Sequence, residues 1–153
     1  MAIYYADSSV LVKRHVPEAG SAWVSALMDI KTNHTFFTAS ISQVEFYSAL
    51  NRRLREKAIS AVQYARLHTA ANHFWSFQYA IIDLATTVID ESRVLLERHP
   101  LRAYDAVQLA SGLHARRTLQ SAGSSAPIFL SADNRLLAAA QAEGFVTDNP
   151  NDH

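Results

Sequence analysis

Cysteine is absent from the 153 residues. Disulfides, thiolate zinc sites and a cysteine nucleophile are thereby excluded, and any metal has to sit on oxygen or imidazole. Net charge is lacking as well: 14 basic residues offset 14 acidic ones. A nucleic-acid partner would need a local patch or a metal, because there is no bulk attraction to hold it. No run approaches the roughly 18 apolar residues that span a membrane. Asp7 interrupts the only early apolar run, so the start does not resemble a secretion signal. A soluble, cytoplasmic protein without membrane association is the expectation. Repeats, low-complexity tracts and long linkers are missing too, and residues 1–153 read as a single domain.

What is present begins with Ala2–Leu11. Five residues that can be buried run into Asp7, followed by Ser8, Ser9 and an apolar helical pattern. This reads as a buried strand whose C-terminal end delivers Asp7 to a site. Further strands are expected at residues 35–38, 79–84, 127–130 and 145–147. Helices are expected at about 8–15, around Trp23–Leu27, from Ser40 onward, at about 60–77 and 85–98, from Pro100 to about Gln120, and at 133–143. Val44, Tyr47, Leu50 and Leu54 fall at helical spacing, and Phe74, Trp75, Phe77 and Tyr79 read as core. Strands alternating with helices predict an α/β fold with a mostly parallel sheet covered on both faces.

Among the fourteen acids, Asp7, Glu45, Asp105 and Asp133 each fall at a strand end or in the first turns of a helix. In a parallel sheet those positions share one edge, where ligands bind. Each also has a plainer reading. Asp7 and Asp133 are natural N-caps. Glu45 completes a capping box with Ser42, although Ser40 and Gln43 fit a box that leaves Glu45 free. Asp105 is expected in a second helical turn, beyond capping range, beside the apolar Tyr104, Val107, Ala110 and Leu113. A charge there needs a partner or a metal. Carboxylates that converge repel one another and take up protons unless a cation joins them. Oxygen ligands without thiolate suit Mg2+, with Mn2+ as the alternative, and such a site suits hydrolysis of phosphate esters or diesters.

Four segments, in order, carry a family resemblance. They are Tyr-Ala-Asp-Ser-Ser-Val-Leu-Val-Lys at residues 5–13, Ser-Gln-Val-Glu-Phe-Tyr-Ser-Ala-Leu at 42–50, His-Pro-Leu-Arg-Ala-Tyr-Asp-Ala-Val-Gln-Leu-Ala at 99–110, and Leu-Ser-Ala-Asp-Asn-Arg-Leu-Leu at 130–137. Together they resemble the PIN-domain family, and within it the VapC-like ribonuclease toxins of type II toxin–antitoxin systems. The resemblance covers nearly the whole chain. It implies a three-layer α/β/α sandwich and a Mg2+-dependent endoribonuclease acting on RNA. Asp7 and Asp105 would be the metal ligands, with Glu45 and Asp133 completing the acidic quartet. Ser9 and Ser131 would orient carboxylates or bound water through hydrogen bonds. Water would attack the phosphorus in line and expel the 3′ oxygen, with no call on histidine, a serine nucleophile or the 2′-OH. A homodimer and a cognate antitoxin that wraps the toxin and closes its site are also implied. Ser131 replaces the commoner threonine, and Ser8 stands where threonine is frequent; both keep the hydroxyl.

Residues 51–57, with four basic side chains, read either as a solvated helix end or as an RNA-phosphate contact. Arg102 is placed to neutralise the acidic cleft or to touch substrate. The seven histidines have no metal-binding spacing. Two other functions compete. A haloacid-dehalogenase-type phosphatase would also use an Asp after strand one, but needs a second Asp where Ser9 stands. A catalytically silent PIN-like binding module is the non-enzymatic alternative.

Overall fold

The structure, a computed structural model, describes residues 1–153. Five strands form one sheet: β1 (Ile3–Ala6), β2 (Thr35–Ala39), β3 (Tyr79–Ile82), β4 (Ile128–Leu130) and β5 (Thr147–Asp148). All pairings are parallel, in the order β3-β2-β1-β4-β5. Seven helices surround it: α1 (Ser8–His15), α2 (Ser21–Leu27), α3 (Ile41–Arg55), α4 (Ala61–Phe77), α5 (Thr86–Arg98), α6 (Ala103–Ser121) and α7 (Asn134–Ala142).

Strand alternation sends neighbouring side chains of β1 to opposite faces. Tyr5 enters a core made with Val88 and Leu95 of α5, Leu109 and Leu113 of α6, and Leu136 and Ala140 of α7. Ala6 enters the opposite core, with Val10 and Leu11 of α1, Val24 of α2 and Met28. A third cluster joins Val12 and Val16 to Phe46 and Leu50 of α3 and Ala71 of α4. The arrangement is the expected α/β/α sandwich with β1 in the middle. No helix is long and apolar enough to cross a membrane.

Chain order explains where a site belongs. From β1 the chain moves outward through β2 and β3, then returns to place β4 on the other side of β1. The order therefore reverses between β1 and β4, and a crevice opens outside their carboxyl ends. Asp7 follows β1 directly, and Ser131 follows β4 directly.

Three expectations from side-chain pattern need correction. Val44 is 61% exposed, and the buried stripe of α3 is Ser42, Phe46 and Leu50, which repeats every four residues. Phe77, the last residue of α4, is 76% exposed rather than core; its ring lies against His73. Pro100 lies outside α6, which begins at Ala103, and this moves Asp105 into the first turn.

Phe129 shows how tightly the core under β1 is filled. Its ring stacks on Tyr5 at 5.0 Å and meets Phe145 at 5.3 Å. A Cβ on Gly112 would lie 2.8 Å from Phe129 Cε2, so only glycine fits α6 at that point. Phe129→Ala is expected to lower the unfolding free energy by about 3–5 kcal/mol, the range for an aromatic emptied from a close-packed core, measured by chemical denaturation.

Candidate active site

Asp7 is buried, with 5% of its surface exposed, and its oxygens are divided between two strands' ends. One oxygen accepts from the Ser9 backbone N–H at 3.1 Å, the Ser9 hydroxyl at 2.6 Å and the Val10 N–H at 3.3 Å. The other accepts from the Ser131 hydroxyl at 2.9 Å. Asp7 is thus the N-cap of α1, as its plainer reading held. The Ser131 bond adds what capping does not require, a link across the reversal point to the end of β4. Ser9 and Ser131 also accept in turn, from the Ala132 and Asp133 backbone N–H groups. None of these donors is charged, and burial pushes the Asp7 carboxyl up to about 6.

Glu45 points from α3 towards the same edge. Its carboxylate accepts from Gln108 Nε2 at 2.6 Å. Burial raises its pKa first and the charge of Asp105 adds to that, while Gln108 and Ser8 pull it back. The capping-box readings do not hold for α3: Ser40 is the N-cap but makes no side-chain cap bond. Ser42 turns inward instead, accepting from Thr38 and Gln108.

Asp105 lies in the first turn of α6, not the second. The reasoning that denied it an end-of-helix role is therefore overturned, since a first-turn carboxylate is favoured by the helix dipole. Its pKa is nonetheless raised, by burial first and then by Asp133, against the Arg102 backbone and the guanidiniums of Arg102 and Arg135. Asp133 caps α7 by accepting from the Arg135 N–H at 2.8 Å. Its side chain is more exposed than that of Asp7 and lies 3.9 Å from the Arg135 guanidinium.

The four acids are thus coupled in sequence: Asp7 with Glu45, Glu45 with Asp105, and Asp105 with Asp133. Asp7, Glu45 and Asp105 take part in no ion pair. As the side chains stand, no three acids or histidines are gathered closely enough to hold a metal ion. The donor chemistry still fits one. The groups are hard oxygens without thiolate, a neighbouring acid raises the pKa of Asp7, of Glu45 and of Asp105, and no protein cation is ion-paired with those three.

Gln108 was not recognised from sequence, although it lies within the residues 99–110 that carry the resemblance. It is 1% exposed and uses both amide N–H donors and its carbonyl oxygen. Oε1 accepts from the Tyr5 hydroxyl at 2.7 Å, while Nε2 donates to Ser42 at 2.9 Å and to Glu45. A reversed amide would set its oxygen against a carboxylate, so this network fixes the direction of the side chain. The signal in the sequence was a polar residue three positions after Asp105 inside the apolar stretch Ala106–Ala110. The basic wall of the cleft was only half seen. A cleft of about 510 Å3 runs from Ser8, Ser9 and Glu45 to Arg52, Arg53 and Lys13, and Lys13 was not anticipated.

A model of the PIN domain matches residues 4–142. No curated protein matches the chain. Solved structures align over nearly the full length. FitAcB from Neisseria gonorrhoeae is 15% identical, covering 97% of each chain with a TM-score of 0.64. A toxin–antitoxin complex from Klebsiella pneumoniae is 13% identical, covering 96% of this chain and 97% of that one, with a TM-score of 0.60. VapBC2 from Rickettsia felis, bound to a promoter DNA fragment, is 12% identical over 96% and 98%, with a TM-score of 0.61. At such low identity these likenesses establish the fold alone.

Two outcomes follow from the geometry. Gln108→Leu strands the Tyr5 hydroxyl, Ser42 and Glu45 together and is expected to reduce stability by about 1–3 kcal/mol, read from denaturant midpoints. For Asp7, the folded pKa of about 6 exceeds the ordinary 3.8. The stability contributed by its proton is complete below the lower value and is lost as pH rises through the higher one. In chelator, Asp7→Asn should therefore gain on wild type between pH 4 and 7.5, by on the order of 3 kcal/mol. A pH-independent difference between the two proteins would contradict this.

Proposed function

The chain belongs to the PIN-domain family, and from that premise we propose that it is a Mg2+-dependent endoribonuclease. We further read it as the toxin of a toxin–antitoxin pair, dimeric and held in check by its cognate antitoxin. One observation carries the nuclease reading. Four acids from four separate segments are electrostatically coupled at the reversal point of the sheet, and the inner three make no ion pair. The toxin reading is supported by the likeness to the toxin–antitoxin complex from Klebsiella pneumoniae, beside VapBC2 from Rickettsia felis and FitAcB from Neisseria gonorrhoeae.

Asp7 and Asp105 are the residues that would hold the ion, with Glu45 and Asp133 beside them. When bound, such an ion supplies a water of lowered pKa and offsets charge developing on the phosphate. The remaining work falls to the protein. Ser9 and Ser131 hold both oxygens of Asp7, so its orientation at the end of β1 is set before substrate arrives. Gln108 does the same for Glu45, leaving that carboxylate one oxygen to present to water or to the ion. Arg102 and Arg135 flank Asp105 at the outer end, where a phosphate oxygen would meet positive charge. None of these roles needs a histidine, and the one deeply perturbed histidine, His15, lies among Phe46 and Phe74.

Cleavage of structured RNA tests the reading. Wild type should cut with Mg2+ and stop in EDTA. Asp105→Asn should lose at least about 100-fold, comparable to removing one charge-stabilising group from other sites. Full cleavage by Asp105→Asn would remove that residue from the site. Binding of the ion is checked separately. Mg2+ should raise the melting temperature of wild type, since a ligand that binds only the folded state stabilises it, and should leave Asp7→Asn/Asp105→Asn unmoved.

A further inference from the structure

Lys13 stands in the wall of the cleft that begins at Ser9 and Glu45. It is buried, with 5% of its surface exposed, yet it carries a charge. Its ammonium donates to the Ala19 carbonyl at 2.7 Å and meets Glu18 at 3.1 Å. An ammonium has three donors, so one remains, and Lys13 lines the cleft. Glu18 also pairs with Arg53 at 2.9 Å. Arg52 lines the same cleft and takes part in no ion pair. One carboxylate therefore pairs with two cations while Arg52 stands unpaired, leaving this end of the cleft with an excess of two positive charges.

Helical spacing connects this patch to the acids. On α3, Glu45, Ser48 and Arg52 fall on one face, and all three line the cleft. On α1, Ser9 and Lys13 are four residues apart and share a face in the same way. Both walls thus begin beside the carboxylates and end in cations. From Glu45 to Arg52 α3 advances about 10 Å, and from Ser9 to Lys13 α1 advances about 6 Å, roughly two to three nucleotides at the ~3.4 Å rise of a stacked strand. A strand with its reacting phosphate at the acids would bring a later phosphate to Lys13 and Arg52.

We propose that Lys13, Arg52 and Arg53 form a phosphate subsite for single-stranded RNA, and that Glu18 is the built-in anion which RNA displaces from it. The proposal rests on the nuclease reading for the strand's position, but not for the binding itself. Glu18 is suited to displacement: it is a flexible carboxylate on the loop after α1, about a third exposed, whereas the lysine it covers is fixed inside. A phosphate brings more acceptor oxygens and stronger charge to the same donors.

Binding of a fluorescent single-stranded RNA, followed by anisotropy in EDTA so that no cleavage intervenes, tests this. Glu18→Gln is expected to tighten binding about 3- to 10-fold. Arg52→Ala should weaken it about 5- to 10-fold and reduce the slope of log K against log salt by about 0.7, the single-strand value per phosphate contact. Lys13→Met should act as Arg52→Ala does, and Lys13→Arg should restore affinity, which separates loss of charge from loss of folding. Unchanged or weaker binding by Glu18→Gln, an unchanged salt slope in Arg52→Ala, or no RNA binding by wild type overturns the proposal. So does capture of an acidic peptide through these residues without RNA, which would assign the patch to a protein partner. Cleavage assays with Mg2+ are scored apart. Absent cleavage with the expected binding pattern would sink the nuclease reading and leave the subsite standing.

Discussion

The burial of Asp7 is the constraint from which the rest of the site follows. A carboxylate taken out of water without a cation prefers its proton, and here burial is the largest influence on it. What keeps the group ionisable is four neutral donors, drawn from the start of α1 and the end of β4. Three of them are local to α1, and the fourth, Ser131, is present only because β1 and β4 are neighbours in register, with Ala6 beside Leu130. A slip of one residue would turn every side chain of β1 to the other face. Tyr5 would leave its core and Asp7 would lose Ser131. The same pairing therefore sets the hydrophobic layers and the site.

Gln108 extends this coupling to the second acid. Its amide lies between Tyr5, in the core under β1, and Glu45, at the edge of the cleft. A buried polar network of this kind is rigid when every member is satisfied and costly when one is missing. Here Thr38, Ser42, Gln108, Tyr5 and Glu45 link β2, α3, α6 and β1. Side chains that act at the site are held by side chains that belong to the fold. Stability and function are consequently not separable at Tyr5 or Gln108, while at Asp7 they oppose each other: its charge weakens the folded state above pH 6 and is what an ion would require.

The sequence disclosed the architecture more readily than the contacts. Alternating strand and helix patterns marked out the parallel sheet, and the carboxylate after the first strand marked its edge. Asp133 as a cap and Asp7 as a cap were both legible from local chemistry, because an N-cap depends on neighbours two or three residues away. Asp105 was misplaced by one turn, since Pro100 was taken as a first-turn residue when α6 begins three residues later. Gln108 and Lys13 were missed for a different reason. Their roles are defined by Tyr5, Glu45 and Glu18, two of which are reached only through the fold, and no local pattern marks a polar side chain that is buried for a partner 63 or 103 residues away.

The correction at Asp105 changes the logic of the site without removing the residue from it. A carboxylate in a second helical turn beside apolar side chains needs a partner or a metal. The first turn of α6 accounts for Asp105 in part, through the helix dipole. What the dipole does not account for is the company. A capping carboxylate is stabilised in its charged form, and its pKa should fall. That of Asp105 rises instead, because burial and Asp133 outweigh the helix end and two nearby arginines. The same holds for Asp7, a cap whose pKa also rises. Caps that serve only their helices sit in water, as Asp29 does at its short 3-10 turn. Asp7, a buried cap, and Asp105, a half-buried first-turn acid, are each made less acidic by their surroundings, which helix ends alone do not explain.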